Sequence, residues 1–432
     1  MDLIPTMYGL GRLSYNRPMG GDISEGAATS ATGQETVRRT TLQRGYVPQL
    51  DALRFFAILG VLVTHEWQVG PYPWIFAGIA WGSVGVRLFF VLSGFLITGI
   101  LLDCRRREGQ FGARRSVLIR RFYIRRFLRI FPLYYGVLAV LIFAGISAEA
   151  RHLWPWLFSY TTNIYIWHSQ QWIGPIGIFW TLAVEEQFYL IWPFLVFFVP
   201  RRWLVPVLLG LISLAPLFRL WASIHEPGDL NWNGYTSGVF TVAVFDSLGV
   251  GALLAILLHR DATGGVRVQR LLNRVALPVG AGALLAVLAL SYYLGVGLRF
   301  VLGETALALV LAWLVGSANR GFSGTAGRVL EWRPITYFGK VSYGIYIMHP
   351  FVPIGFAWLA HRLGTEYDVP RLVNFVLVTV VTAGLAALSW HLFERPINGL
   401  KRFFPYRDTP PPRARPAAPQ VAAATSQVRS VE

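Results

Sequence analysis

Apolar runs of about twenty residues, separated by charged or Gly/Pro-rich breaks, recur along the chain. They fall at 50–69, 83–102, 131–147, 179–199, 203–220, 239–258, 275–295, 299–316, 335–359 and 373–393. At about 1.5 Å per helical residue, runs of this length match a hydrocarbon core roughly 30 Å thick. The pattern predicts an all-α polytopic membrane protein with about ten transmembrane helices. Two polar stretches flank the array. Residues 1–45 are rich in Gly, Ser and Thr and contain no signal-peptide core, and past Tyr406 the chain becomes rich in Pro, Ala and Arg (DTPPPRARPAAPQ). Neither stretch has enough apolar surface to fold. The expected layout is a disordered cytoplasmic tail over 1–45, a membrane domain over 46–400 and a disordered basic tail over 401–432. No internal repeat of the transporter kind is visible.

Composition agrees: 54% of the 432 residues are hydrophobic and the mean hydropathy is +0.48, too apolar for an ordinary soluble domain. The net charge of +17 is arginine charge, since Lys340 and Lys401 are the only lysines. Its placement argues against nucleic acid. Ten arginines between Arg105 and Arg129 occupy the connection between the second and third runs, whereas the connection near 70–82 carries no charge. The alternation continues with Arg201 and Arg202, then Arg260 to Arg274, then Arg320 to Arg333, then Lys401 and Arg402. The positive-inside rule then puts both termini in the cytoplasm. Segment 361–371 is of mixed charge and fits least well. The single cysteine, Cys104, excludes an intramolecular disulfide and a cysteine metal cluster.

Ionisable residues inside apolar runs are costly, about 2.5 to 3.5 kcal/mol each on insertion scales, and so mark function. The first run contains Asp51, Arg54 and His65. Arg54 and His65 are separated by eleven positions, about 20° past three turns, which puts them on one side of a helix about 16 Å apart. Asp51 lies one turn before Arg54. This polar stripe is expected to line an internal cavity, although a self-neutralising Asp51–Arg54 pair and a packed His65 would also account for it. Further on, FFVLSGFLIT places Ser93 and Gly94 at mid-span, where small residues allow close helix approach. The segment RRFYIRRFLRIFPLYY sets Arg121, Arg125 and Arg129 four residues apart beside Arg126, a comb suited to phosphate groups or to lipid headgroups. WTLAVEEQFYLIWP brings Glu185 and Glu186 to a depth similar to that of His65, where a carboxylate and an imidazole can share proton work. SYGIYIMHP contributes Tyr343 and His349, and FERP contributes Glu394. Alone, each of these last two motifs is weak, because a Tyr or His here is more often an interhelical hydrogen bond than a catalyst.

Taken together and in this order, the stretches LDALRFFAILGVLVTH, FFVLSGFLIT, RRFLRIFPLYY, WTLAVEEQFYLIWP and SYGIYIMHP with FERP resemble the acyltransferase 3 family of integral-membrane acyltransferases. The resemblance covers about Tyr46 to Pro396. Two positions depart from the family pattern: Thr181 stands where serine is common, and Glu66 adds a carboxylate beside His65. The resemblance implies a bacterial inner-membrane O-acyltransferase with no tightly bound cofactor. It implies acyl-CoA, most simply acetyl-CoA, as co-substrate and a hydroxyl of a surface polysaccharide, lipopolysaccharide or other glycosylated molecule as acceptor. His65 would act as general base with Glu186 or Glu185 orienting it, and Arg54, Arg121, Arg125, Arg126 and Arg129 would hold the donor. Asp51, Ser93, Tyr343, His349 and Glu394 would bind substrate or brace the site. Some family members add an esterase-like extracytoplasmic domain. None is visible here, so the acceptor is expected to be modified at the membrane domain itself. Cys104, at the arginine-rich end of its run, lies far from His65 and argues against a cysteine acyl-enzyme. The competing readings are a transporter or flippase for an acyl donor or lipid-linked sugar, and a structural subunit of an export complex.

Overall fold

The computed structural model describes residues 46–67, 80–225, 236–294 and 297–406. The tail at 1–45, the connection at 68–79 and the end of the chain from 407 lie outside the described residues. Among the described residues there is no strand, and nine helices are long and apolar enough to cross a membrane. The protein is an all-helical, multi-pass membrane protein. The first predicted run is not among those nine, because its ionisable residues lower its hydropathy. It nevertheless forms helix α1, Pro48–Leu62, followed by a π-helical turn, Val63–Trp67. Pro48 suits the first turn, where its missing N–H leaves no bond unmade.

The long helices that follow are α2 (Trp81–Phe111), α3 (Arg115–Phe143), α4 (Trp180–Phe198), α5 (Leu204–His225) and α6 (Phe245–Arg260). After them come α7 (Leu277–Leu294), α8 (Glu304–Arg320), α9 (Arg333–Met348), α10 (Val352–Arg362) and α11 (Arg371–Ser389). Helix α3 starts well before the apolar run at 131, because the arginine-rich segment ahead of it is helical too. Conversely, the run at 335–359 is divided: Pro350 and Pro353 interrupt the backbone ladder, and a short 3₁₀ turn, His349–Phe351, separates α9 from α10. Residues 401–406, expected in the tail, are held in place, with Leu400–Phe403 forming a 3₁₀ turn.

Glycine sets the closest approaches. A Cβ on Gly94 of α2 would lie 1.9 Å from the carbonyl oxygen of Leu248 on α6, and one on Gly251 of α6 would lie 2.1 Å from the carbonyl oxygen of Val91. On the other side, a Cβ on Gly339 of α9 would lie 1.8 Å from the carbonyl oxygen of Asp51 on α1. Only bare backbone fits such contacts, which explains why α1, α2, α6 and α9 pack tightly at the centre. Leucines of α5, α7 and α11 stay exposed, as expected of surfaces facing lipid.

Candidate active site

The ionisable residues of α1 divide between two regions. Near the arginine-rich ends of the helices, Arg54 lines a cavity of about 350 Å³ with Arg126 and Arg129 of α3, Glu185 and Glu186 of α4, and Lys401. Ser93, Thr181, Tyr189, Ser342, Tyr343 and Tyr346 add hydroxyl groups to its wall. Arg54 is ion-paired with Asp51 one turn below it, as the spacing predicted, and its side chain stays 32% exposed, leaving guanidinium surface for a ligand. Glu185 is fixed by two donors, Ser93 Oγ at 2.7 Å and the Tyr189 hydroxyl at 2.8 Å. Tyr343 donates to the Ile130 carbonyl at 2.7 Å, tying α9 to α3. Glu394 is buried in a π-helical turn, Trp390–Glu394, where it accepts from Ser389 at 3.3 Å.

The four arginines of the comb have different fates. Arg126 and Arg129 reach the cavity, and Arg121 is not among its lining residues. Arg125 turns aside. It donates to the carbonyls of Lys401 at 2.8 Å and Phe404 at 3.1 Å, and its guanidinium lies 4.9 Å from the centre of the Tyr406 ring. Arg125 therefore secures the segment after α11, which in turn delivers Lys401 to the cavity.

His65 sits at the opposite ends of the helices, in the π-helical turn that closes α1. Such turns widen the helix by one residue and commonly occur at functional sites. Two cavities meet at its ring. One, of about 510 Å³, is lined by Glu66, Trp172, Asp368, Arg371 and Asn374 among others. The second, of about 460 Å³, is lined by Thr64, Ser83, Arg87, Trp180, Arg299 and Glu304 among others. Glu185 and Glu186 are in the walls of neither. These carboxylates lie with Arg54 and not, as their expected equal depth suggested, beside His65; the His65 ring packs edge to face on that of His349, with centres 5.2 Å apart. His349 is fully buried, and Nδ1 lies 2.8 Å from the carbonyl oxygen of Tyr346.

The region around Arg54 and the region around His65 share a wall. Val86 and Tyr346 line both the 350 Å³ cavity and the 460 Å³ cavity. The Tyr346 hydroxyl donates to the Ile178 carbonyl at 3.0 Å and lies 2.8 Å from Thr181 Oγ1. Thr181, one of the two departures from the family pattern, thus keeps the hydroxyl that serine would supply. Because this anchored tyrosine stands between them, the polar stripe of α1 faces two compartments and not one.

Three buried charges, Arg87, Arg219 and Asp246, and the partly exposed Glu304 were not anticipated from the sequence. Asp246 on α6 is wholly buried between Arg87 of α2, at 3.2 Å, and Arg219 of α5, at 2.8 Å. Arg87 also meets Glu304 of α8 at 2.8 Å, and Thr305 donates to Asp246 at 2.7 Å. The signal was available, since all four lie in or at the edge of predicted runs, and the rule that singled out His65 applies equally to them. Removing one partner of such a buried pair costs about 3 to 5 kcal/mol, so the cluster braces four helices around the wall of the 460 Å³ cavity.

A model of the acyltransferase 3 family, described as an acyltransferase domain, matches residues 47–391. The chain is similar to the peptidoglycan O-acetyltransferase OatA of Listeria monocytogenes, with 29% identity over 392 residues, 85% of this chain and 58% of that protein. It is similar also to the O-acetyltransferase OatA of Staphylococcus aureus, with 24% identity over 384 residues, 83% of this chain and 58% of that protein. The chain thus spans somewhat over half the length of these curated relatives. No solved structure matches it. With one family model covering 47–391 and the family's motifs converging on two compartments across a shared tyrosine wall, the chain belongs to the acyltransferase 3 family.

Proposed function

We propose that the protein is a bacterial inner-membrane O-acetyltransferase that takes an acetyl group from cytoplasmic acetyl-CoA and transfers it to a hydroxyl of a cell-surface polysaccharide. The observation that carries this reading is the pair of compartments joined at Tyr346: a basic one at the arginine-rich end and an imidazole-bearing one beyond it. Planar guanidinium forks bind phosphate oxygens in pairs, so Arg54, Arg126 and Arg129 suit the phosphates of CoA. Lys401 adds a further charge, and Glu185 and Glu186 balance part of it. The pantetheine arm would bring the thioester from this compartment toward the shared wall.

On the other side, His65 takes the proton from the acceptor hydroxyl as that oxygen attacks the thioester carbonyl. The carbon–oxygen bond forms, the carbon–sulfur bond breaks, and CoA leaves as the thiol once protonated. Acetyl-group names in the relatives' descriptions and the polysaccharide acceptor of the Listeria protein support these choices of donor group and acceptor class.

The test is transfer by the purified protein from acetyl-CoA labelled in the acetyl group to soluble peptidoglycan fragments. Label on the glycan, with free CoA released in equal amount, supports the proposal. Label that stays on CoA while the protein moves it across a vesicle membrane would instead identify a transporter.

A further inference from the structure

Two adjacent glutamates of α4 reach the arginine-bearing cavity with opposite bonding. Glu185 accepts from Ser93 Oγ and from the Tyr189 hydroxyl. Glu186 lines the same cavity, yet its Oε1 is buried and has no hydrogen-bond partner among the described residues. The arginines of α3 show the same contrast. Arg125 commits its N–H groups to the carbonyls of Lys401 and Phe404, whereas the Nε–H of Arg126 is buried and has no partner among the described residues. An acceptor and a donor of opposite charge therefore share one cavity, and these two atoms do not serve each other. Buried polar groups left unmade are costly and uncommon, the more so when the group is charged. Around them the wall is apolar, with Phe89, Phe90 and Ile97 of α2 and Ile130 of α3.

A ligand that satisfies both atoms must donate to Glu186 and accept from Arg126. Phosphate meets only the second need, because its oxygens accept and repel a carboxylate. A hydrocarbon chain meets neither. A secondary amide meets both, with an N–H and a C=O on opposite edges of one plane, and the pantetheine arm of acetyl-CoA is a chain of such amides between the phosphates and the thioester. We propose that Glu186 and Arg126 read this arm: the Glu186 carboxyl group accepts an amide N–H and Arg126 Nε–H donates to an amide carbonyl, so that the cavity selects a pantetheine thioester and not merely a polyphosphate. This rests on the reading of the cavity as the donor site. Glu186 serves in either protonation state, since a neutral carboxyl group keeps an oxygen that accepts. Arg126 keeps its terminal N–H groups for phosphate, since a guanidinium carries five donors.

The competing role for Glu186 is to offset the charge of Arg54, Arg126, Arg129 and Lys401, with water serving Oε1. The two roles differ in sign. They are separated by displacing labelled acetyl-CoA from the purified full chain with CoA, with pantetheine and with the phosphoadenosine diphosphate half of CoA. Glu186→Leu keeps the bulk and removes both acceptor and charge, whereas Glu186→Gln removes the charge and keeps an acceptor. If the carboxylate only offsets charge, both variants bind CoA and its nucleotide half more tightly than the wild type and pantetheine equally well. The proposal expects Glu186→Leu to weaken pantetheine and CoA about tenfold, the ratio that one lost hydrogen bond produces, while the nucleotide half binds at least as well as to the wild type. Glu186→Gln should hold pantetheine within about threefold of the wild type, since its amide oxygen still accepts. Arg126→Lys has no N–H at the ε position and should weaken pantetheine by a similar factor, so the test stays decisive if Glu186→Leu fails to fold. Pantetheine that does not compete on the wild type, pantetheine affinity unchanged by Glu186→Leu or by Arg126→Lys, or CoA held more tightly by Glu186→Leu overturns the proposal and leaves water on these atoms. Failure of acetyl-CoA itself to bind the wild type overturns the donor reading on which the proposal rests.

Discussion

Arg54 can be tested by the mildest of substitutions. Lysine keeps the charge and can still meet Asp51, but it replaces a planar fork of donors with a single ammonium. If Arg54 grips a phosphate or pantetheine group, Arg54→Lys should fold normally and lose acetyl-CoA affinity about tenfold or more, the equivalent of about 1.5 to 3 kcal/mol for a charge-assisted bond. Calorimetric titration measures it, and wild-type affinity would reduce Arg54 to a partner of Asp51. The comb on α3 divides in the same way. Neutralising Arg126 or Arg129 to Gln should raise KM for acetyl-CoA, because both face the 350 Å³ cavity. Arg125→Gln should instead loosen the segment that it holds at Lys401 and Phe404, seen as faster proteolysis near that segment. A donor KM raised by Arg125→Gln alone would reverse these assignments.

At the scale of elements, glycine contacts decide whether the two compartments keep their shape. Gly94→Ala would drive a methyl group into the Leu248 carbonyl, whereas Gly136→Ala on α3 meets nothing within 4 Å. The first should lower thermal stability by about 1 to 3 kcal/mol and the second should be nearly neutral, as thermal-shift measurements would show. A neutral Gly94→Ala would mean that α2 and α6 are not locked backbone to backbone. The same contrast shows what a sequence discloses. Ser93 and Gly94 could be read as a close-packing pair from residue size alone, and the helical spacing of Asp51 and Arg54 gave their ion pair directly. The fate of Arg125 was not legible, because its partners are carbonyl groups almost 280 positions later. Nor was the neighbour of His65. Counting residues from assumed span ends put Glu185, Glu186 and His65 level, but the glutamates lie in the cavity of Arg54, and which groups meet depends on where each helix starts and which helices adjoin. There, α9 brings His349 to His65, while α4 turns its glutamates toward Ser93 and Arg54.

The whole molecule is polarised, with arginine gathered at one set of helix ends and the His65 cavities at the other. The positive-inside rule predicts that the arginine-rich ends face the cytoplasm, where acetyl-CoA is made available. Single cysteines at Gly109, after the arginines of α2, and at Ala148, beyond the far end of α3, should label oppositely, since both positions are exposed and Cys104 is buried. In intact cells an impermeant thiol reagent should modify position 148 and spare position 109, and the converse would invert the donor and acceptor sides. This polarity also gives the Arg87–Asp246–Arg219 cluster its place. It joins α2, α5 and α6 beside the cavity proposed for the acceptor, and so would hold that wall rigid while the proposed donor entered from the opposite end.

The central claim is that one imidazole converts a bound thioester donor into a transfer reaction. The most direct measurement is a paired one on purified His65→Ala, combining acetyl-CoA affinity by calorimetry with transfer of labelled acetyl to peptidoglycan fragments. Removing a general base costs roughly 10² to 10⁴-fold in rate. The predicted result is donor affinity equal to that of the wild type, with transfer reduced by that factor, because His65 lines neither the wall nor the floor of the arginine-bearing cavity. Transfer at the wild-type rate with donor still bound would contradict the account, since the proton of the acceptor hydroxyl would then be leaving by another route.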